Sequence, residues 1–377
     1  MQLVLDEPQR LLLHTARDMI AESEPLRRLR ALRDEKDPLA YSPRVWSRMA
    51  ELGLTSLPFA EEDGGLGLGL AEVVLVTEAL GHGLAPEPYI ASVMLAGQIL
   101  ALSRSAERAR LLEALMAGSQ RGALACHERG ARFSIVPECT RAVRTPRGYT
   151  LRGEKAQVMG GVGADWFIVS AFLENEPRAQ VALFLVPGSA EGLRVTPQWR
   201  LDSRNAATVT LVDVQVREDQ LLAPLESGLG LLEQVIDKAT VALCGEMLGG
   251  MQRAFSMTLD YLRARKQFGV TIAKFQALRH RAARIFIEQE LARSALMVAA
   301  RALDTALPES RALVSVAKAR CSDAYLLTAN EGVQMHGGIG MTDEHDIGFF
   351  LKHARVCEMT FGDAAFHRRR FAQASGF

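Results

Sequence analysis

Lysine is scarce in this chain of 377 residues: of 44 basic residues only 7 are Lys, and the remaining 37 are Arg. The 44 acidic residues balance them, so the formal net charge is zero. A strongly basic nucleic-acid binder is therefore excluded on bulk charge. Disorder needs low hydrophobicity and high net charge, and this chain is 48% hydrophobic. Cysteine is sparse too. Cys126, Cys139, Cys244, Cys321 and Cys357 include no Cys-x-x-Cys pair, which removes support for a zinc site or redox dithiol. An odd, sparse count fits reduced thiols, and a cytoplasmic location is expected. No run of 18 apolar residues occurs, so no membrane span is expected. The first residues carry charges every few positions, unlike a signal peptide.

Chemical motifs are missing as well. No Gly-x-Gly-x-x-Gly spacing, P-loop, Gly-x-Ser-x-Gly elbow, His-Glu-x-x-His or Glu-x-x-His pair is present. A nicotinamide enzyme, kinase, serine hydrolase or metalloenzyme thus has no positive support.

What is present is an α, then β, then α order, an α+β multidomain fold. Residues 1–120 read as an N-terminal helical domain. Ser42-Pro43 supplies an N-cap and a first-turn Pro, with a stop at Gly53. A Gly-rich acidic loop runs from Phe59 to Leu70, and Glu61–Asp63 reads as a turn, not a metal site. Residues 121–225 carry short β-rich runs separated by Gly, Pro and charges. The run Thr208–Val216 alternates with period two. With no long helix between the runs, a middle antiparallel β-barrel or sandwich is expected. Residues 226–377 return to long helical patterns at about 232–262, 274–303 and 311–335, which suggest a C-terminal four-helix bundle. Small residues on the first of these (Ala239, Ala242, Gly245, Gly249, Gly250) suggest burial on several sides, and hence a homo- or hetero-oligomer.

Four segments then stand out: 51–70, 153–171, 259–283 and 333–345. They contain Arg265-x-x-Phe268-Gly269, Phe275-Gln276, and Gln334-x-x-Gly337-Gly338. In this order and over nearly the whole chain they resemble the acyl-CoA dehydrogenase family. The resemblance implies FAD as cofactor, an acyl-CoA thioester as substrate, α,β-dehydrogenation with hydride passing to the flavin, and an electron-transfer flavoprotein as re-oxidant. It implies no nucleic acid, membrane or metal. Arg265 and Phe268 would meet the dinucleotide, Arg through bidentate contact with pyrophosphate oxygens, with Gln276 nearby. Gln334, Gly337 and Gly338 would line the adenosine or pyrophosphate region. Val158 and Met159 would run past the isoalloxazine edge. His127 would touch flavin or polarise the thioester, or else be a loop histidine. Cys126 has no base at a spacing that would mark a nucleophile, His336 reads as structural, and Arg368-Arg369-Arg370 as a solvated face or a CoA phosphate contact.

The chain departs from the family at several places, among them the bundle helix, where an Arg common near the CoA moiety is replaced in Asp237-Lys238-Ala239-Thr240. The Thr-Glu-Pro-x-x-Gly-Ser-Asp run is replaced by His127-Glu128-Arg129-Gly130-Ala131-Arg132-Phe133-Ser134, and Trp-x-Thr by Gln157-Val158-Met159. The usual base, a Glu in Tyr-Glu-Gly-Thr, matches Phe361, and a minority position matches Ala239. Neither accepts a proton. Glu246, seven residues beyond Ala239 on nearly the same helix face, is the candidate catalytic base. A buried Glu paired with an Arg of a neighbouring helix is the alternative, and Asp363 is a third choice. A catalytically silent subunit, a flavin oxidase or monooxygenase on the same fold, and a cofactor-free helical scaffold remain as rival readings.

Overall fold

Asp6 opens helix α1 (Glu7–Glu22) with a reciprocal cap: its carboxylate accepts the Gln9 N–H at 2.9 Å, and Gln9 Oε1 accepts the Asp6 N–H. The structure, a computed structural model, describes residues 5–174, 180–223 and 227–377. Helix α2 (Pro25–Asp34) follows, then α3 (Pro43–Glu51). As expected, Ser42 caps α3 and Gly53 ends it at φ +72°. Helix α4 (Leu70–Gly83), a π-helical stretch at Ile90–Gly97, α5 (Gln98–Ala101) and α6 (Arg108–Met116) complete the first third. The acidic residues Glu61–Asp63 form a 3₁₀ turn, and Asp63 pairs with Arg108.

The chain divides into two compact units, not along the order of its segments. One contains residues up to Ala31 with Gly69–Ala85 and Thr240–Phe377, and the other Leu32–Leu68 with Pro86–Ala239. The N-terminal helices are thus shared between units. The expected boundary at 225/226 lies outside the described residues.

The β unit holds strands β1 (Gly122–Ala125), β2 (Arg141–Thr145), β3 (Gly148–Met159), β4 (Trp166–Leu173), β5 (Val181–Pro187), β6 (Leu193–Pro197) and β7 (Ala206–Val216). They form one sheet, ordered β1-β4-β2-β3-β7-β6, with β5 also on β4. The antiparallel expectation needs correction here. β2–β3, β3–β7, β4–β5 and β6–β7 are antiparallel, but β1 and β2 both pair with β4 in parallel. β5 occupies one edge of β4 along its length, so β1 and β2 share the other. The sheet closes over Tyr149, Leu151, Phe167, Val169, Phe184, Val209 and their neighbours. β3 is bulged between Lys155 and Val158, where Gln157 adopts φ +53°.

The helical unit contains most of α7 (Gly228–Ala264), the small hairpin β8 (Lys266–Gln267) and β9 (Val270–Thr271), then α8 (Gln276–Asp304), α9 (Ser310–His336), α10 (Ile347–Met359) and α11 (Ala364–Ala374). The expected C-terminal bundle forms, and α1 and α4 join it. α4 crosses α7 at backbone contact. A Cβ on Gly245 would meet Thr77 Oγ1 at 2.2 Å, one on Gly249 would meet Glu78 O at 1.9 Å, and one on Gly81 would meet Glu246 O at 1.9 Å. Gly250 leaves room for the Tyr325 hydroxyl. The small residues that suggested assembly are therefore used up within the chain. Glu78 locks this crossing, accepting Arg17 Nη2 at 2.7 Å, Gln252 Nε2 at 3.0 Å and Arg293 Nη1 at 3.4 Å. From the end of α8, the Asp304 carboxylate caps α4, accepting the Leu70 N–H at 2.8 Å.

Candidate active site

Two of the sequence motifs meet at one end of the helical unit. α7 ends at Ala264, and Arg265 leads into the β8–β9 hairpin. Arg265 is exposed, and Phe268 at the hairpin tip is 90% exposed with φ +55°. A bulky residue in the left-handed region, presenting its ring to solvent, is both strained and poorly hydrated. Phe275 meets it edge to face at 5.9 Å, and exposed Gln276 begins α8. On α9, Gln334 is exposed, and Gly337 breaks the helix at φ +65°. Neither Gly337 nor Gly338 has any atom within 4 Å of where a Cβ would stand. The two motifs are joined through the core: Met335 packs with Leu262 and Ile285, and the His336 ring stacks on Tyr261 at 4.6 Å. His336 is buried, and its Nδ1 lies 2.6 Å from Gly332 O. Burial pushes its pKa down, the Gly332 bond opposing this and His345 adding to it. His336 thus packs beneath the motif against Tyr261.

The chemistry of this end suits a dinucleotide. Arg265 is a cation that stays charged, with a planar donor fork matched to phosphate oxygens. Gln334 carries an amide, Phe268 a free aromatic face, and Gly337-Gly338 an open stretch of backbone that a ligand can approach closely. The residues present fit FAD.

The β unit places the other candidates. The Ala156 N–H donates to His127 O at 2.9 Å, so the chain leaving β1 lies beside the β3 bulge that carries Val158 and Met159. Val158 is buried in the sheet core, paired with Ala207 and with its carbonyl accepting the Gly161 N–H at 3.2 Å, whereas Met159 is half-buried. Next to His127 stands a group the sequence did not flag. Glu128 is buried, and its carboxylate accepts the N–H groups of Glu138, Cys139 and Thr140 at 2.7–2.8 Å and Lys155 Nζ at 2.9 Å. Desolvation would raise its pKa, but these bonds outweigh it and hold the carboxyl at about 2. Lys155 also reaches Ser170 Oγ at 3.2 Å, and burial pulls its pKa down against the Glu128 bond. Cys126 Sγ lies 3.4 Å from His127 Nδ1. Burial opposes ionisation of the thiol, but the imidazole lowers it on balance, and the thiol in turn raises His127. Cys126 thus has a basic neighbour in sequence, a partner that spacing rules for catalytic dyads do not flag.

Models of the acyl-CoA dehydrogenase N-terminal and C-terminal domains match residues 6–119 and 226–376. The chain belongs to the acyl-CoA dehydrogenase family. Members of this family are FAD-dependent oxidoreductases of acyl-CoA thioesters. The probable acyl-CoA dehydrogenase YngJ of Bacillus subtilis is 28% identical over 336 residues, 87% of this chain and 88% of that one. The ChsE4-ChsE5 complex from Mycobacterium tuberculosis is similar with TM-score 0.90 and 26% identity, over 100% of this chain and 99% of that one. Butyryl-CoA dehydrogenase from Megasphaera elsdenii shares the fold at TM-score 0.90 and 21% identity, each chain covered fully at 100%. No helix among the described residues is long and apolar enough to cross a membrane, and no group of three or more metal-ligating side chains occurs among them.

Against this acyl-CoA dehydrogenase frame, the candidate base is buried. Glu246 on α7 has a side chain only 5% exposed, and its Oε1 lies 3.6 Å from His353 Nε2 on α10. A pairing was foreseen, though with an arginine. His353 Nε2 also lies 3.3 Å from Cys357 Sγ, and its ring meets Tyr325 edge to face. Ala239 is fully buried, Phe361 is half-buried, and Asp363 accepts the Phe366 N–H as the cap of α11. Of the terminal arginines, Arg368 pairs with Asp323.

Proposed function

We propose that this acyl-CoA dehydrogenase holds FAD in the helical unit through Arg265, Phe268, Gln276, Gln334, Gly337 and Gly338, and that His127, Val158 and Met159 are the flavin contacts that the β unit itself offers. The observation that carries this reading is the exposed, strained Phe268 beside Arg265, at the same end of the helical unit as the open Gly337-Gly338 backbone. Bound FAD supplies the hydride acceptor. Arg265 would neutralise pyrophosphate charge, Gln334 would donate from its amide, and Gly337-Gly338 would admit the ligand to the backbone. An electron-transfer flavoprotein as re-oxidant and a cytoplasmic location belong to the same proposal.

Glu246 is proposed as the base that takes the α-proton. Its support is the buried carboxylate–imidazole pair with His353, which can share an acquired proton. A second reading has its own observation. Phe361 and Ala239 occupy the two places where the family puts its base, so the chain can be the silent partner of an active subunit. Three runs, at 125–133, 243–251 and 361–370, resemble the small subunit of a pimeloyl-CoA dehydrogenase, which supports a heteromer. The ChsE4-ChsE5 complex, itself of two kinds of chain, points the same way.

The test is to purify the chain alone and with a co-expressed paralogue, record the flavin spectrum, and add acyl-CoAs of increasing length. Bleaching that Glu246→Gln abolishes supports the base. A yellow protein inert in every pairing supports the silent subunit. Rapid reaction of reduced flavin with dioxygen would instead favour the oxidase.

A further inference from the structure

Strands β1 and β2 lie end to end along one edge of β4. β1 stops with Ala125 opposite Val169, and β2 starts with Arg141 opposite Phe172. Carried on by one residue, the β1 register sets Cys126 opposite Ser170. Carried back by two, the β2 register sets Cys139 opposite the same residue. One position cannot hold two residues, so the chain bends out of line here and the two cysteines flank it. Ala123, Ala125 and Ala142 belong to the sheet core, so strand alternation turns Cys126 and Cys139 to the same, opposite face. A single ion pair fixes both backbones. Lys155 Nζ lies 3.5 Å from Cys126 O and 2.9 Å from Glu128 Oε1, and Glu128 Oε2 accepts the Cys139 N–H at 2.7 Å. Twelve residues, 127–138, separate the two cysteines, so a search for Cys-x-x-Cys passes over them.

The two thiols are unequal. Cys139 is exposed, so a small solute reaches it. Cys126 is buried, with His127 Nδ1 3.4 Å from its sulfur and the Lys155 ammonium beside its carbonyl. A buried structural cysteine sits among apolar groups that suppress its thiolate, whereas adjacent cations favour it. Burial would raise the pKa of Cys126, but the imidazole, with the ammonium adding to it, draws the thiol below its ordinary value. The other three cysteines, Cys244, Cys321 and Cys357, are buried as well. For Cys321 the contact with Cys244 and burial both push the thiol up. The β unit therefore pairs an accessible thiol with an activated one.

We infer that Cys126 and Cys139 are a peroxide-sensitive dithiol site that closes to a disulfide beside Ser170. Hydrogen peroxide is the oxidant. The Cys139 thiolate attacks one peroxide oxygen, the O–O bond breaks and hydroxide leaves, so Cys139 becomes a sulfenic acid. The Cys126 thiolate then attacks the Cys139 sulfur, the S–O bond breaks and a second hydroxide leaves. The thiols give up two electrons and two protons, and the peroxide ends as water. A disulfide joins Cα atoms up to about 7 Å apart, roughly two residues along a strand. Closure also takes from His127 the thiolate that raises its pKa, so the bond acts on a residue proposed to face flavin. The dithiol itself stands whether or not flavin binds.

The experiment uses the full chain as it purifies. It is treated with hydrogen peroxide, remaining thiols are blocked with iodoacetamide, and a tryptic digest is weighed by mass spectrometry without reduction. Trypsin cuts after Arg121, Arg129, Arg132 and Arg141, so Cys126 and Cys139 fall on separate fragments, Gly122–Arg129 and Phe133–Arg141. These should appear joined, lighter than their sum by two hydrogens, and dithiothreitol should part them. The chain should lose two of its five free thiols. Cys139→Ser changes an exposed residue and should abolish the link. Cys126→Ser should stop the reaction at a Cys139 sulfenic acid that dimedone traps. His127→Gln should slow the link several-fold and let that sulfenic acid accumulate, which a merely structural cysteine would not do. If Cys126→Ser does not fold, the Cys139 and His127 variants decide. Oxidation of Cys139 onward to sulfinic acid while Cys126 stays open to iodoacetamide overturns the inference. So do five intact thiols after peroxide, and a loss confined to Cys244, Cys321 and Cys357.

Discussion

His353 Nε2 stands 3.6 Å from Glu246 Oε1, an imidazole facing a carboxylate in the interior of the helical unit. Cys357 Sγ lies 3.3 Å from the same imidazole nitrogen, so His353 is held between the carboxylate and the thiol. As the base, Glu246 should lose about 10²–10⁴-fold in flavin reduction rate on conversion to Gln, the usual range for general-base removal. FAD content should not change, because Glu246 lies outside the proposed dinucleotide residues. His353→Asn should move the pH profile of reduction without abolishing it. Stopped-flow absorbance at the flavin band checks both. A Glu246→Gln variant that reduces flavin at the wild-type rate would place the base elsewhere.

Arg265→Ala should loosen the cofactor. A hydrogen bond to a charged group contributes roughly 1.5–3 kcal/mol, so FAD should bind about 10–100-fold more weakly. Arg265 is exposed, so the fold should survive the change. Fluorescence of released flavin on dilution measures it. Retention of stoichiometric FAD at wild-type affinity would remove Arg265 from the site.

Local chemistry made much of the fold legible. Ser42 and Pro43 announced α3, and the alternation in Thr208–Val216 announced β7 (Ala206–Val216). The parallel pairing of β1 was not legible: Gly-Ala-Leu-Ala is four residues without alternation, and its partner β4 lies about 40 residues on. The division into units was hidden for a related reason. It depends on α4 nesting against the glycines of α7 across more than 160 residues, which no local pattern encodes. Part of the site was legible because Arg265 and Gln334 belong to spaced motifs. Glu128 was not, because its three N–H donors arrive only when residues 138–140 fold back over it. Lys318 looked like any lysine until its two carbonyl partners closed around it.

Glu128 makes stability depend on pH at the acid end. Its carboxyl is held at about 2, below its ordinary value of 4.5. A depressed carboxylate contributes stability that is complete above pH 4.5 and lost as pH falls toward 2. Glu128→Gln should flatten that part of the stability curve. At neutral pH it leaves Lys155 buried without its carboxylate, at a cost of about 3–5 kcal/mol. Urea unfolding at a series of pH values measures both effects, and an unchanged acid limb in the variant would contradict the assignment.

Two histidines act at milder pH. Burial pushes His82 down to about 4, with Arg17 and Arg253 adding to it, and pushes His367 down to about 3. Both are held neutral in the fold and take up protons more readily when unfolded, near their ordinary value of 6.5. Stability should therefore be complete above pH 6.5 and fall as the pH drops to about 4 for His82 and about 3 for His367. His82→Asn should shallow the slope of Tm against pH in the upper part of that window. A variant with the wild-type slope would show that His82 does not titrate there.

Gly249→Ala tests the crossing on which the helical unit depends. The added methyl would sit 1.9 Å from Glu78 O, a backbone atom that cannot turn aside as a side chain would. Helices α4 and α7 must then separate, and Gly245 and Gly81 along the same contact lose their fit with Thr77 and with Glu246 O. The Glu78 carboxylate, which gathers Arg17, Gln252 and Arg293, moves with its helix. Overpacking of a well-filled core usually costs about 1–3 kcal/mol. Here the upper end is expected, since backbone meets backbone and a buried ion-pair cluster is strained at the same step. Gly230 is the control, because a Cβ there has no atom within 4 Å. Gly230→Ala lies near the start of the same helix and should be neutral or slightly stabilising through helix propensity. Denaturant unfolding of the two variants should separate them by a few kcal/mol. Equal midpoints would mean that α4 and α7 are not in contact at Gly249.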